Sequence, residues 1–386
     1  MNTDKDIVIF GAGQIGRMAL AKWKEHVLFI VDNNKKLHGT CIDGIPVKSV
    51  ESLSPERSYT VLIASKNQDL MERQLQKLGI KRYGFYLKEP KAYFDTESLI
   101  FNPYQDDEQR NLTEEKWNEK NKNHLAQETI NFRVEQMKGK EILFDHVEIE
   151  TINRCNGNCE FCPVNKNIDQ RPYQEMSDTL FKNIIHQLAD MNYSGKLALF
   201  SNNEPFLDQD IIKKHRYARE KLPFARMHLF TNGTLLTIEK FAQIVGYLDE
   251  LVIDNYQQEL HLIKPCQEIV EYCEAHTELK KKVTIVLRKP KEILTSRGGD
   301  APNRKKLVSY GNLRCILPYK QFIIRPDGKV SLCCNDPYGR NTLGDLNKET
   351  MMEVWFNDRF KMVRKCLYEG RKNWEHCKYC DVLALG

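Results

Sequence analysis

Three cysteines in eight residues, Cys155-Asn-Gly-Asn-Cys159-Glu-Phe-Cys162, constrain this chain more than any other stretch. They follow the strand-like run His146-Val-Glu-Ile-Glu-Thr-Ile, which puts the thiols on the loop leaving a strand. Soft thiolates at short spacing on a loop hold zinc or an iron–sulfur cluster. Zinc wants a fourth ligand close by, and the nearest histidines, His146 and His186, are poorly placed in sequence. A four-iron cluster held by three cysteines keeps one iron free for a ligand that is not protein. The loop must therefore stand on a rigid scaffold that leaves that side open.

The C-x3-C-x2-C spacing, with Phe161 before the last cysteine, resembles the radical S-adenosylmethionine (radical SAM) superfamily. The resemblance implies that the open iron chelates the amino and carboxylate groups of SAM, whose reductive cleavage yields a 5′-deoxyadenosyl radical. The protein's part is to position and shield that cofactor chemistry. It also implies a flavodoxin- or ferredoxin-type electron donor.

From residue 143 onward strand patterns alternate with helical ones, which implies parallel strands joined by crossover helices. Strands are expected at 146–152, 196–200, 226–230, 250–254 and 283–288, and helices near 177–191, 208–221, 237–246 and 262–278. Five or six such units suit the partial (β/α)6 barrel of the superfamily, whose ligands collect at the carboxyl ends of the strands. Ser201-Asn-Asn203-Glu204-Pro stands where relatives carry Gly-Gly-Glu-Pro, so Asn203 and Glu204 are candidates for the SAM ammonium. Asn tolerates left-handed backbone, and the turn is expected to survive the replacement in that form. Thr231-Asn232-Gly233 resembles the next turn of the family, although an ordinary Asn-Gly turn reads the same way. Asp254 or Asn255 could take the ribose, and Arg288 suits the SAM carboxylate bidentately, although a solvated arginine at the barrel rim reads the same way. Arg297-Gly-Gly occupies a position that in relatives lies near the substrate, which makes Arg297 a substrate-binding candidate; an exposed arginine on a Gly-Gly turn is the plainer reading.

A second cysteine set comprises Cys315, Cys333, Cys377 and Cys380. Asp327-Gly328 between two alternating runs signals a hairpin with Cys333 on its returning strand. The order resembles the SPASM/Twitch auxiliary-cluster domain, and Gly344-Asp-Leu-Asn and Glu353-Val-Trp355-Phe-Asn357 match its linking stretch and helix. The full pattern carries further cysteines and a second auxiliary cluster; four ligands here imply one [4Fe-4S] cluster, the Twitch-like arrangement. Zinc on the same thiolates is the rival reading. Cys334 could replace Cys333, or return a hydrogen atom to substrate, but the G-x4-C spacing favours Cys333 as ligand. The auxiliary cluster is expected to accept an electron from the substrate.

Near the N-terminus, Asp6-Ile-Val-Ile-Phe10 reads as a strand, Gly11-Ala-Gly13-Gln-Ile-Gly16 opens a helix, and a second strand ends on Asp32. This is the G-x-G-x-x-G fingerprint with an acid 21 residues after its first glycine. Gly11, Gly13 and Gly16 would cradle a phosphate and Asp32 a ribose hydroxyl. With strands at 59–64 and 83–87 and a helix at 68–78, the unit is a half-sized Rossmann fold. Together with Gly39-Thr-Cys-Ile-Asp-Gly-Ile-Pro-Val47 it resembles the nucleotide-binding module that precedes sugar acyltransferases, which implies a nucleotide or nucleotide sugar. Glycines that only pack helix on strand would leave the same pattern.

The expected organisation is a Rossmann-like module at 1–90, a charged helical linker at 91–142, the radical SAM partial barrel at 143–305 and the Cys-rich auxiliary domain at 306–386. The linker carries Asp106-Asp-Glu-Gln-Arg and Glu114-Glu-Lys-Trp-Asn-Glu-Lys, and its apolar positions look too sparse for a core helix. Net charge of +5 with no basic–aromatic cluster gives no footing for nucleic acid, and no apolar run is long enough for a membrane. Twelve cysteines, most of them at ligand spacing, with no export signal, suit a reducing cytoplasm. The reading is a cytoplasmic radical SAM enzyme that abstracts hydrogen from a carbohydrate-derived small molecule, leading to oxidation or epimerisation. A radical SAM peptide maturase is the alternative within the class. A nicotinamide-dependent dehydrogenase with structural zinc, or a non-catalytic scaffold, is the alternative outside it.

Overall fold

The computed structural model describes residues 7–57, 59–65, 68–86, 98–104, 113 and 124–384. The chain divides into two compact units, Met1–Pro90 and Lys91–Gly386.

In the first unit β1 (Ile7–Phe10), α1 (Gln14–Trp23), β2 (Val27–Val31), the hairpin β3 (Cys41–Ile42) and β4 (Ile45–Lys48), β5 (Thr60–Ile63), α2 (Gln68–Lys77) and β6 (Tyr83–Phe85) follow in order. They form one sheet, β3-β4-β2-β1-β5-β6, parallel except for β3. Val8, Ile9 and Phe10 are fully buried because β1 lies centrally and is covered on both faces. The β3–β4 hairpin was not anticipated; its turn, Asp43-Gly44, has positive φ at both residues, as a tight primed turn requires.

The second unit adds β7 (Ile100–Phe101), α3 (His124–Met137), β8 (His146–Ile149), α4 (Asp178–Asp190), β9 (Lys196–Ala198), α5 (Ile211–Lys221), β10 (Arg226–Thr231), α6 (Ile238–Ile244), β11 (Glu250–Tyr256), α7 (Lys264–Ala275) and β12 (Val283–Arg288). The tail supplies β13 (Gln321–Ile324), β14 (Lys329–Ser331), β15 (Thr342–Asp345), α8 (Met351–Phe356) and α9 (Asp358–Glu369). All nine strands share one sheet, β15-β14-β13-β8-β9-β10-β11-β12-β7. The run from β13 to β7 is parallel throughout, and β14 and β15 close it antiparallel. The helices between β8 and β12 cover it with apolar faces: Phe181, Ile184, Ile185 and Leu188 of α4 are all essentially inaccessible.

Two sequence expectations need correction. The stretch taken for a solvated linker contributes to the core: α3 buries Ile130 and Val134 completely, and β7 pairs with β12. Two apolar residues one turn apart were enough, and the surrounding polar residues diluted the pattern. The acidic runs at 106–110 and 114–120 lie outside the described residues. The sheet also passes without a break across the boundary expected at 305/306, because β13 pairs in register with β8 (Gln321 beside His146, Ile324 beside Ile149).

Candidate active site

The carboxyl ends of β8 to β12 surround a cavity of about 300 Å³. Cys155, Cys159 and Cys162 line one side of it. Their loop is held by its own backbone: the Gly157 N–H donates to Cys155 Sγ (3.3 Å), Lys166 N–H to the Gly157 carbonyl (2.9 Å), and Asn165 Nδ2 to the carbonyls of Cys159 (3.2 Å) and Cys162 (2.9 Å). A Cβ at Gly157 would stand 3.3 Å from Cys155 Sγ, a tight approach that would push the thiol aside by a few tenths of an ångström. Burial pushes the Cys155 thiol up to about 12 and raises Cys159 as well, with each neighbouring thiol adding to the effect. Cys155 and Cys159 thus gain most from a metal centre that compensates their thiolate charge.

Glu204 is 1% exposed and lies in the cavity wall. Its Oε1 accepts from Thr231 Oγ1 (2.8 Å) and Phe206 N–H (3.1 Å), and its Oε2 from Asn232 N–H (2.8 Å). Asn232 Nδ2 in turn donates to Asn156 Oδ1 (2.8 Å), so the Thr231-Asn232-Gly233 turn is tied to the cysteine loop. Gly233 is obligatory there: φ is +75° and a Cβ would meet Ile253 at 2.7 Å. Asn203 lines the cavity, its Oδ1 accepts from Ser201 N–H (2.9 Å), and its buried Nδ2 has no partner. Contrary to expectation, neither Asn202 nor Asn203 adopts left-handed backbone; the side-chain bond of Asn203 closes the turn instead.

Asp254 lines the cavity, whereas Asn255 does not. Alternation along β11 turns Asn255 away, and its amide is used up by the His261 carbonyl (2.8 Å) and Ile263 N–H (2.8 Å). Arg288 is likewise absent from the wall: its guanidinium pairs with Asp254 (3.2 Å) and Glu292 (3.3 Å). Burial raises the Asp254 carboxyl, against the pull of Arg288. Arg297 does reach the cavity, held by Nη2 bonds to Asn202 Oδ1 and the Cys334 carbonyl (3.1 Å), with positive φ at a non-glycine position. Such backbone outliers persist where the surroundings over-determine them. Gly298 and Gly299 follow with φ of +67° and +87°, packed so closely on His376 and Tyr379 that no Cβ fits.

Cys315, Cys333, Cys377 and Cys380 line a second, much smaller cavity of about 20 Å³ together with Arg371 and His376. The hairpin forms as expected, with Gly328 at φ +80°, and Cys333 lies just past the end of β14. Cys334 lines neither cavity. Its thiol faces Glu148 and Gln321 and is pushed up to about 12 by burial, so the expected ligand or hydrogen-donor role lacks a position to act from. Adjacent residues of an extended segment point to opposite sides, and Cys333 took the cluster side.

Sequence reading missed Arg371 altogether. It is 2% exposed, and its Nη1 and Nη2 bond the Cys380 (3.0 Å) and Val382 (2.7 Å) carbonyls. Burial alone would lower its pKa, yet the four surrounding thiols raise it. Its Nε is buried without a partner, the mark of a missing acceptor. A thiolate-ligated iron–sulfur cluster supplies that acceptor and the negative charge. Among the described residues, no three His, Cys, Asp or Glu side chains converge tightly enough to hold one metal ion.

In the first unit Gly11 and Gly16 are explained by packing: a Cβ would lie 2.5 Å from the Ala64 carbonyl oxygen and 1.8 Å from that of Gly11. Of these three glycines only Gly13 has open space around its missing Cβ. Asp32 accepts from Ala12 N–H (2.7 Å) and Asn34 N–H (2.7 Å), which pins the glycine turn to the end of β2.

Residues 149–254 match the sequence profile of the Radical SAM superfamily, and residues 315–381 that of the SPASM iron–sulfur cluster-binding domain. The chain thus carries a radical SAM domain and a SPASM domain, which imply SAM and iron–sulfur clusters. It is similar to the S-adenosyl-L-methionine-dependent 2-deoxy-scyllo-inosamine dehydrogenase of Niallia circulans, 29% identical over 245 residues, 63% of this chain and 95% of the relative. Among solved structures, BtrN in complex with AdoMet and 2-DOIA matches with a TM-score of 0.54 and 24% identity, covering 62% of this chain and 94% of that one. SeMet BtrN in an open conformation matches with a TM-score of 0.46 and 21% identity, over 62% and 92% of the two chains. Among the described residues no helix is long and apolar enough to cross a membrane.

Proposed function

We propose that this protein is a radical SAM dehydrogenase that oxidises a secondary alcohol of a carbohydrate-derived, aminocyclitol-like molecule. Cys155, Cys159 and Cys162 would hold one [4Fe-4S] cluster and Cys315, Cys333, Cys377 and Cys380 a second. When bound, the first supplies reductive cleavage of SAM to a 5′-deoxyadenosyl radical, and the second an electron acceptor for the substrate. The residues of this chain do the rest. Glu204, with Asn203, presents a carboxylate and an unpartnered amide donor to the methionine end of SAM. Asp254 faces the cavity for a ribose hydroxyl, oriented by Arg288, which acts as a positioning residue. Arg297 offers a guanidinium to the substrate while gripping Asn202 and the Cys334 carbonyl, next to the cluster cysteine Cys333.

One observation carries the reading: two separate cysteine sets, one open to a 300 Å³ cavity and one gathered around a buried arginine, with Arg297 reaching from the first toward the second. That arrangement suits a reaction that removes a hydrogen atom at one centre and an electron at the other. Oxidation is favoured over epimerisation because Cys334, the one hydrogen-donor candidate, is off the cavity wall. The dehydrogenase relative supports the same choice. A nucleotide at the first unit rests on the open approach at Gly13 alone.

The test is anaerobic: reconstituted protein, SAM, dithionite and 2-deoxy-scyllo-inosamine. Equal amounts of 5′-deoxyadenosine and a ketone are expected. Cleavage of SAM without ketone would reject the substrate class, and no cleavage would reject the activity.

A further inference from the structure

Oxidising a secondary alcohol by this route, the function proposed above, sends three things to three places. The carbon-bound hydrogen atom forms the new C–H bond of 5′-deoxyadenosine. The electron left on carbon goes to an oxidised iron–sulfur cluster, and the hydroxyl proton must leave as the C=O bond forms. Of the carboxylates around the cavity, Glu204 accepts from three donors and keeps its remaining lone pair for the SAM ammonium, and Asp254 is paired with Arg288. Neither is free to take that proton.

Ser201 lines the cavity, and its Oγ donates to Glu148 Oε2 at 2.6 Å. Asn202 Nδ2 donates to the same hydroxyl at 3.3 Å, which leaves one oxygen lone pair for a substrate O–H. Glu148 is buried in β8, at the interior of the sheet. Two residues back along the same face stands His146, with Nε2 3.5 Å from Glu148 Oε1 and no hydrogen-bond partner of its own. Its Nδ1 meets Gln321 Nε2 at 3.4 Å, and its side chain is 16% exposed at the far end of the strand, beside Asp145, Lys196 and Lys320.

We propose that Ser201, Glu148 and His146 form a proton exit that carries the substrate hydroxyl proton from the cavity through the sheet interior to solvent at its opposite end. Ser201 passes its proton to Glu148 as it receives the substrate's. With the Gln321 amide turned so that its oxygen, buried without a partner, accepts from Nδ1–H, the Nε2 of His146 is bare; protonated Glu148 donates to it, and the imidazole takes that proton on Nε2 and releases the one on Nδ1. The electrostatics agree. Burial pushes Glu148 up to about 7, against the Ser201 bond and Arg297, so it can take a proton near neutrality, and holds His146 near 4, so the imidazole is neutral there and carries the proton only in passing. The other groups facing Glu148 are Arg297 from the loop after β12 and the Cys334 thiol.

Infrared spectroscopy of the cluster-loaded protein with SAM bound tests the path without requiring the right substrate. A buried carboxylic C=O band is expected that disappears with a midpoint near pH 7 and is absent in Glu148→Gln. After a pH jump the band should respond at least tenfold more slowly in His146→Gln than in wild type. A missing band, or an unchanged rate in His146→Gln, overturns the proposal. With 2-deoxy-scyllo-inosamine, the ratio of ketone to 5′-deoxyadenosine should fall at least tenfold in Glu148→Gln and in Ser201→Ala. A ratio unchanged in both also overturns it. Wild type that gives no ketone counts against the substrate class, while the infrared result still decides the path.

Discussion

Replacing Glu148 with glutamine exchanges a buried carboxyl for its neutral isostere, and the structure says how stability should respond. Glutamine keeps both contacts: its oxygen can accept from Ser201 Oγ and its amide can donate to the unpartnered His146 Nε2. The carboxyl is raised by burial from its ordinary 4.5 to about 7. A folded-state value above the unfolded one means that the folded chain prefers the protonated form. Stability is then complete below about 4.5 and is lost as pH rises toward 7. The difference is worth roughly 3 kcal/mol at ~1.36 kcal/mol per unit. Glu148→Gln should therefore gain on wild type by about 1.4 kcal/mol per pH unit between 4.5 and 7, then hold a constant margin. Urea-dependent hydrogen exchange of the β8 amides in the cluster-free chain measures this for the right unit, since two units need not unfold together. His146, held near 4 by burial in the folded chain, titrates below this window. A margin that is independent of pH, or one that grows toward acid, would refute the burial argument.

Three further outcomes follow from other residues. Arg371→Met removes the cation and the unpartnered Nε beside the four-cysteine set, so the second cluster should become harder to reduce, by about 60 mV for each ~1.4 kcal/mol lost in this one-electron couple; redox titration followed by electron paramagnetic resonance reads the shift. Glu204→Gln must put an amide against either Asn232 N–H or the Thr231 and Phe206 donors, and leaving a buried donor unmet costs about 1–3 kcal/mol. SAM affinity measured by anaerobic calorimetry should fall roughly 10- to 100-fold. Gly16→Ala drives a methyl into the Gly11 carbonyl and should destabilise the first unit by about 1–3 kcal/mol, whereas Gly13→Ala meets nothing and should be near neutral on thermal unfolding.

What the sequence disclosed depended on whether a feature was local. The five central parallel strands and four covering helices were legible because each carries its own period, and the cysteine sets because ligand spacing is a local pattern. Partnership across the sheet was not. Nothing near Asn255 or Arg288 announces that their side chains are used by the His261 loop and by Asp254 and Glu292. Arg371 becomes notable only once four distant cysteines surround it. α3 was misread because its two core residues sit among charges, and burial by a partner outweighs a weak period. Glu148 did leave a trace: an acid within a strand that the parallel sheet had to bury on both faces. Such a residue conflicts with its setting, and conflicts of that kind concentrate where chemistry is done.

SAM binding to the cluster held by Cys155, Cys159 and Cys162 underlies every step proposed, and electron paramagnetic resonance of the reduced, reconstituted protein reads it. Two cluster signals are expected, of which adding SAM shifts one and leaves the other unchanged. The signal that shifts should be missing in a Cys155→Ala/Cys159→Ala/Cys162→Ala protein and retained when Cys333 and Cys377 are replaced. A spectrum that SAM leaves unaltered, or a shift that survives loss of the first three cysteines, would contradict it.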